Sequence, residues 1–326
     1  MEARRATVGG RNPVVSEAAT SIPEDRPRRR KGVDASTPDI LRQRGNGSLF
    51  CFVEEIRLGE KIATRPTPPL TTDPLPCPFS RLMTTAVEPT SVKKAVILSA
   101  GMGTRLGALT QNLPKVMVPI AGKPMLEHHL EWLKGFGVRE FYLNLHYLAD
   151  VISDYFEDGS RWDVKIHYHR EERLLGTAGS LQGFRSHLDE TFLVQYGDVF
   201  SRLDLARLAL FHRHHEAAAS LVVHPSSHPH DSDIIELADE TRIRQIHHKP
   251  GDARFGNLGN AGAYLLEPVV LDHLSPDLRE EDFCKDVFPR MLAAGETVCG
   301  YDTDDLLLDV GTPERLAWIE DHLKSA

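Results

Sequence analysis

Four times in succession between residues 93 and 223, a short apolar run is followed by a segment with helical spacing. Ala95-Val96-Ile97-Leu98 reads as a buried strand, and Met125, Leu126, Leu130 and Leu133 recur on one helical face before Gly135 and Gly137. The cycle repeats with a strand at 141–145 and a helix at 148–156, a strand at 164–168 and a helix at 179–188, then a strand at 192–196 and a helix at 203–214. A further strand follows at 218–223. Alternation of this kind predicts a doubly wound α/β fold, a mostly parallel, Rossmann-like sheet with crossover helices on both faces. From Ile234 the pattern loosens into short strands at 234–237, 243–247 and 262–265, so a small β-rich subregion is expected beside the main sheet. A helix at 281–293 and a terminal helix at 314–323 complete the reading, with Thr312 as N-cap and Pro313 at the first helical position.

The chain before this pattern is of another kind. Residues 1–92 hold 11 of the 21 prolines and none of the 16 histidines, and carry 14 Lys+Arg against 11 Asp+Glu. Without a sustained apolar period such a segment cannot offset its ordering entropy, so residues 1–92 are expected to be disordered and 93–326 to form the folded domain. The run Arg26-Pro27-Arg28-Arg29-Arg30-Lys31 reads as a solvated tail. Met83 shortly precedes the first strand, and translation from there is expected to give the native chain.

Charge and composition remove several function classes. The formal net charge is -9, which disfavours nucleic acid as a partner. No apolar run approaches the roughly 18 residues a membrane helix needs. The four cysteines form no CxxC pair, so a reducing cytoplasm is expected. The histidines near His212, His214 and His215 lack HExxH spacing or a cysteine partner, which argues against structural zinc.

The first strand runs into Ser99-Ala100-Gly101-Met102-Gly103-Thr104-Arg105-Leu106. Glycines there let backbone N–H groups approach a phosphate closely. The next glycine is Gly107, so the spacing is GxGxxxG and differs from the dinucleotide fingerprint; a GxxxxGK[ST] loop is also absent. Arg105 and Lys115 add two cations beside this turn, which suits a polyphosphate.

Residues 97–126, from Ile-Leu-Ser-Ala-Gly-Met-Gly-Thr-Arg-Leu through Leu-Pro-Lys to Gly-Lys-Pro-Met-Leu, resemble the signature of the sugar-1-phosphate nucleotidylyltransferases. Leu175-Gly176-Thr177-Ala178-Gly179 resembles that family's LGTAG, Gly197-Asp198 its GD, and Lys249-Pro250 its EKP. Asn260-Ala261-Gly262 resembles its NAG, and Asp309-Val310-Gly311-Thr312 its terminal DxGT. The order holds from about residue 93 to the end of the sequence.

The resemblance implies transfer of a nucleoside monophosphate from an NTP to a sugar-1-phosphate, with Mg²⁺ as cofactor and pyrophosphate as product. Catalysis is expected from Arg105 on the β- and γ-phosphates, Lys115 on the α-phosphate, and Asp198. Asp198 and Asp309 are expected to hold the metal. Ser99, Ala100, Gly101, Met102, Gly103, Thr104, Gly176 and Thr177 are expected at the nucleotide, and Gly179, Lys249, Asn260 and Gly262 at the sugar phosphate. His248 stands where the family usually carries an acidic residue, which leaves the sugar open. Glu171-Glu172 faces either the substrate or solvent. The stretch Asp282-Phe283-Cys284-Lys285-Asp286-Val287-Phe288-Pro289 resembles members acting on hexoses and heptoses, and points first to GTP with mannose- or heptose-1-phosphate. UTP or dTTP with glucose-1-phosphate, CTP with phosphocholine, and a non-catalytic regulatory subunit stay open, as does homo-oligomerisation.

Overall fold

A computed structural model describes residues 90–325, with 102, 227 and 253 excepted. All belong to one unit of the chain, Pro76–Ala326. The expected disordered segment up to residue 89, and Met83 with it, lie outside the described residues. Folded structure is present by Thr90, whose N–H donates to the Phe136 carbonyl at 3.1 Å, and Val92 is buried.

The elements follow the alternation closely. Strand β1 (Lys94–Leu98) leads through a long loop to a two-stranded hairpin, β2 (Pro119–Ile120) and β3 (Lys123–Pro124), and helix α1 (Met125–Gly135). Then come β4 (Glu140–Leu145), α2 (Ala149–Phe156), β5 (Lys165–Arg170), the short α3 (Gly176–Gly179), β6 (Phe192–Tyr196), β7 (Val199–Ser201) and α4 (Leu205–His214). The second half holds β8 (Ala219–Pro225), β9 (Ile234–Leu237), β10 (Ile243–His247), β11 (Leu258–Leu266), α5 (Phe288–Ala293), β12 (Val298–Asp302), β13 (Leu307–Asp309) and α6 (Pro313–Ser325).

Strands β5, β4, β1 and β6 lie side by side and all parallel. Antiparallel β11 closes the far side of β6 and carries β8 and β9, while β12 runs parallel to β8 and β10 antiparallel to β9, making nine strands. The parallel core is the expected one, and β8 to β12 are the β-rich subregion. Side chains of β1 alternate between two cores. Ala95 and Ile97 pack with Leu126, Leu130 and Leu133 of α1, whereas Val96 packs with Leu181 and Phe184 on the opposite face. Leu130 is fully buried, so truncating it to alanine should cost about 2–5 kcal/mol.

Two expected helices differ. The stretch 179–188 continues α3 only as tight 3-10 turns over Ser180–His187, where Gly183 packs against the His169 ring. The helix expected from 281 begins as one π-helical turn, Phe283–Val287, and becomes α-helical only at Phe288. Pro289 has no N–H to donate back into the preceding turn, which explains the break.

Candidate active site

Three of the expected site residues, Lys115, Asp198 and Asp309, gather where the parallel strands end, the usual edge for ligands in open α/β sheets. Gly197 follows β6 and donates to the Leu98 carbonyl of β1 at 3.0 Å, so Asp198 emerges beside the glycine-rich loop. The short antiparallel pair β7–β13 sets Asp309 against Val199, and Val310 N–H donates to the Asp198 carbonyl at 2.9 Å. Two aspartates more than a hundred residues apart are thereby brought to one place.

Lys115 lies between them. Its side chain is 7% exposed, and its Nζ donates to Asp198 Oδ2 at 2.6 Å and Asp309 Oδ1 at 3.3 Å. Arg315, in the first turn of α6, reaches Asp309 Oδ2 at 3.2 Å. Nothing in the motif pattern pointed to Arg315. Gly103 sits at φ 63°, and a Cβ there would fall 2.8 Å from Lys115 Cβ, so the loop touches the lysine stem only because this residue has no side chain. The Thr110 hydroxyl donates to the Gly103 carbonyl at 2.8 Å and closes the loop. Met102 and the side chains of Thr104 and Arg105 lie outside the described parts of the chain.

Beneath Gly197, His129 of α1 places Nε2 3.2 Å from the Gly197 carbonyl. Burial lowers its pKa to about 4, so the ring is neutral, and the contact to a carbonyl identifies Nε2 as the protonated nitrogen.

A buried polar chain joins the glycine-rich loop to the LGTAG turn. Ser99 N–H donates to Asn144 Oδ1 at 2.8 Å, Asn144 Nδ2 donates to Glu171 Oε1 at 2.9 Å, and Leu175 N–H donates to Glu171 Oε2 at 3.0 Å. Glu171 is therefore neither solvated nor turned to open space: it is buried and bonded. An asparagine inside the apolar run Phe141-Tyr142-Leu143-Asn144-Leu145 was the available sequence signal, since a buried amide needs partners.

Gly176 and Gly179 press against the backbone of Glu281 and Arg279, and the N–H groups of Ala178 and Gly179 donate to the Glu281 carbonyl. The Thr177 hydroxyl donates to Asp282 Oδ2 at 2.7 Å and accepts from Phe283 N–H at 3.0 Å. The LGTAG turn is thus clamped to the segment opening at residue 279. A cavity of about 530 Å³ lies beside it, lined by His146, Glu172, Arg173, Leu174, Arg279 and Glu280.

Asn260 and Gly262 sit in a β-bulge of β11, where the register against β8 shifts between Asn260 and Tyr264. Asn260 Nδ2 donates to the Tyr264 hydroxyl at 2.7 Å, and its Oδ1 accepts from Gly262 N–H at 3.1 Å. Gly262, at φ 74°, lies against the Tyr196 ring. Tyr196 immediately precedes Gly197-Asp198, so one residue links this cluster to the acidic pair. Lys249 lies just beyond β10, exposed, with a left-handed backbone at φ 39°. The structure brings Lys115, Asp198 and Asp309 together, groups Thr177, Asn260 and Gly262 separately around Tyr196 and Tyr264, and leaves Lys249 at the rim.

Residues 94–325 match the family described as nucleotidyl transferase. A UTP–glucose-1-phosphate uridylyltransferase of Synechocystis sp. is 33% identical over 233 residues, covering 67% of this chain and 60% of that protein. A mannose-1-phosphate guanylyltransferase of Mycobacterium tuberculosis is 36% identical over 222 residues, covering 68% of this chain and 61% of that one. The chain thus spans about three fifths of the length of these curated relatives. The UDP-glucose pyrophosphorylase structure from Acinetobacter baumanii shares the fold, with a TM-score of 0.61 at 21% identity over 71% of this chain and 93% of that one. The family match covers more than half the sequence and takes in the loop, the lysine and both aspartates: the chain belongs to the nucleotidyl transferase family.

Proposed function

We propose that the protein transfers a nucleoside monophosphate from a nucleoside triphosphate to a sugar-1-phosphate, releasing pyrophosphate, with Mg²⁺ as its metal. The observation that carries this reading is the convergence of Asp198 and Asp309 on one cation, the Lys115 ammonium, at the ends of the parallel strands. Two hard carboxylates already arranged around a positive charge are a donor set that fits Mg²⁺. Held there by Asp198 and Asp309, the ion would supply neutralisation of phosphate charge.

The remaining work falls to the chain itself. A phosphate oxygen of the sugar-1-phosphate attacks the α-phosphorus, the bond to the bridging oxygen breaks, and pyrophosphate departs, without a covalent intermediate. Lys115 serves the α-phosphate, where charge must be stabilised as that bond breaks. Arg105 offers a bidentate fork to the β- and γ-phosphates. Ser99, Ala100, Gly101, Met102, Gly103, Thr104, Gly176 and Thr177 form the nucleotide side. Gly179, Lys249, Asn260 and Gly262 form the sugar-phosphate side. Catalysis of this type rests on positioning and charge.

The activities for which the two relatives are named both use a sugar-1-phosphate, which supports that acceptor class. GTP with mannose- or heptose-1-phosphate is the first pair to test. Cys284 and Cys299 are both free thiols, which suits a cytoplasmic setting. Pyrophosphate release should be measured with Mg²⁺ for GTP, UTP, dTTP, CTP and ATP, each crossed with mannose-, glucose- and heptose-1-phosphate and with phosphocholine. Turnover with one sugar-1-phosphate pair, abolished in Asp198→Ala, is the expected result. Turnover with phosphocholine alone, or none with a folded, nucleotide-binding protein, would overturn the reading.

A further inference from the structure

Strands β9 and β10 pair so that His247 lies opposite Ile234. The next residues outward, His248 after β10 and Asp233 before β9, therefore leave the sheet side by side. His248 Nδ1 lies 2.7 Å from Asp233 Oδ1. On the other flank, Asn260 N–H donates to the Asp233 carbonyl at 2.9 Å. One aspartate thus sits between the strand end that carries His248-Lys249 and the bulge that carries Asn260-Ala261-Gly262.

Asp282 and Cys284 complete this cluster, with ligand atoms of the three residues all within 4.8 Å of one another. Asp282 already accepts three hydrogen bonds, one oxygen from Cys284 and Lys285 N–H and the other from the Thr177 hydroxyl. The Cys284 thiol is buried, and burial holds it protonated by pushing its pKa well up. Asp233 differs from both. Its side chain is 14% exposed, and its carboxyl is bonded by the His248 imidazole and the Cys284 thiol. A carboxylate offers about four acceptor positions, so this one has room for a donor. Burial also pushes the Asp233 carboxyl up in pKa, against the pull of His248.

We infer that Asp233, held by His248, supplies the carboxylate acceptor for a ring hydroxyl of the sugar. The inference rests on the proposed sugar-1-phosphate reaction and identifies a specificity-determining residue within it. His248 directly precedes Lys249 and bonds the carboxylate of Asp233, the residue before β9. The imidazole, 37% exposed, is the positioning residue, and the carboxylate behind it makes the contact. Lys249 follows directly, so the group proposed for the sugar phosphate and the group proposed for the sugar ring share one strand end.

The test is steady-state kinetics of the full chain, with the nucleotide and sugar-1-phosphate that support turnover, for wild type, Asp233→Asn, His248→Ala and the double variant. A hydrogen bond to a charged acceptor predicts a rise of about 10- to 100-fold in sugar-1-phosphate KM, with nucleotide KM unchanged within about twofold. The double variant should be no worse than Asp233→Asn alone, because both changes remove one contact. A set of monodeoxy sugar-1-phosphates adds a direct readout: one analogue should lose affinity with wild type and lose nothing further with Asp233→Asn. Unchanged sugar KM in both single variants, or equal rises in both KM values, would overturn the inference while leaving the reaction standing. Absence of wild-type turnover with every sugar-1-phosphate would overturn the reaction and this inference together.

Discussion

Gly262 and Tyr196 share a space that admits only one side chain. A Cβ at 262 would fall 2.9 Å from Tyr196 Cγ, and the backbone there is left-handed at φ 74°. Gly262→Ala should therefore cost about 1–3 kcal/mol, from strain and displacement of the ring together. At roughly 2–4 °C per kcal/mol, the melting temperature should fall by several degrees. Removing the ring as well, in Gly262→Ala/Tyr196→Ala, should cost less than the sum of the two single changes. Calorimetry of the four proteins decides it, and strict additivity would rule out the steric coupling.

Replacement of Lys115 by methionine should act in two opposite ways. Turnover should fall by about 10²–10³, the cost of losing one charge-stabilising donor. Divalent-cation binding to the nucleotide-free protein should tighten, because the ammonium no longer competes for Asp198 and Asp309. Isothermal titration with Mg²⁺ or Mn²⁺ separates the two effects. Weaker cation binding in this variant would contradict the competition.

His129 makes stability depend on pH in a defined window. Its folded pKa is about 4 and its ordinary value 6.5, so between these the unfolded chain binds the proton and the folded chain does not. Stability must then fall as pH drops from about 6.5 to about 4, by up to about 3 kcal/mol from this residue, and this contribution levels off below. Denaturant midpoints for wild type and His129→Gln, measured from pH 4 to 8, should converge toward the acidic end. A constant gap across that range would refute the assignment.

The chain from Ser99 through Asn144 and Glu171 to Leu175 is expected to hold the nucleotide side in shape. Asn144→Ala strands the Ser99 N–H and one Glu171 oxygen, at about 1–3 kcal/mol for each buried group left unpaired. Nucleotide KM should rise more than sugar-1-phosphate KM. The reverse ranking would place this chain elsewhere in the site.

Local pattern made much of this architecture legible. The apolar runs at β1, β4 and β6 fall where their spacing put them, and Thr312 does cap α6, its hydroxyl accepting from Arg315 N–H at 3.4 Å. What stayed hidden depends on long-range pairing. Strand β11 begins at Leu258, four residues before the expected 262, because Gly259 and Asn260 have poor strand propensity and are held by β8 and β9 instead. The acidic pair was readable as two separate aspartates. That they share Lys115 follows from the three-residue pairing of β7 with β13, too short to announce itself in a pattern. That Asp233 meets His248 follows from the register of β9 against β10.

Clustered carboxylates ordinarily repel, and a domain built around them often cannot settle until a metal arrives. Here the chain carries its own counter-ion, since the Lys115 ammonium spans Asp198 and Asp309 before any nucleotide enters. The fold is thereby expected to stand without metal: a chelator should abolish the proposed turnover yet leave a folded chain with a cooperative melting transition.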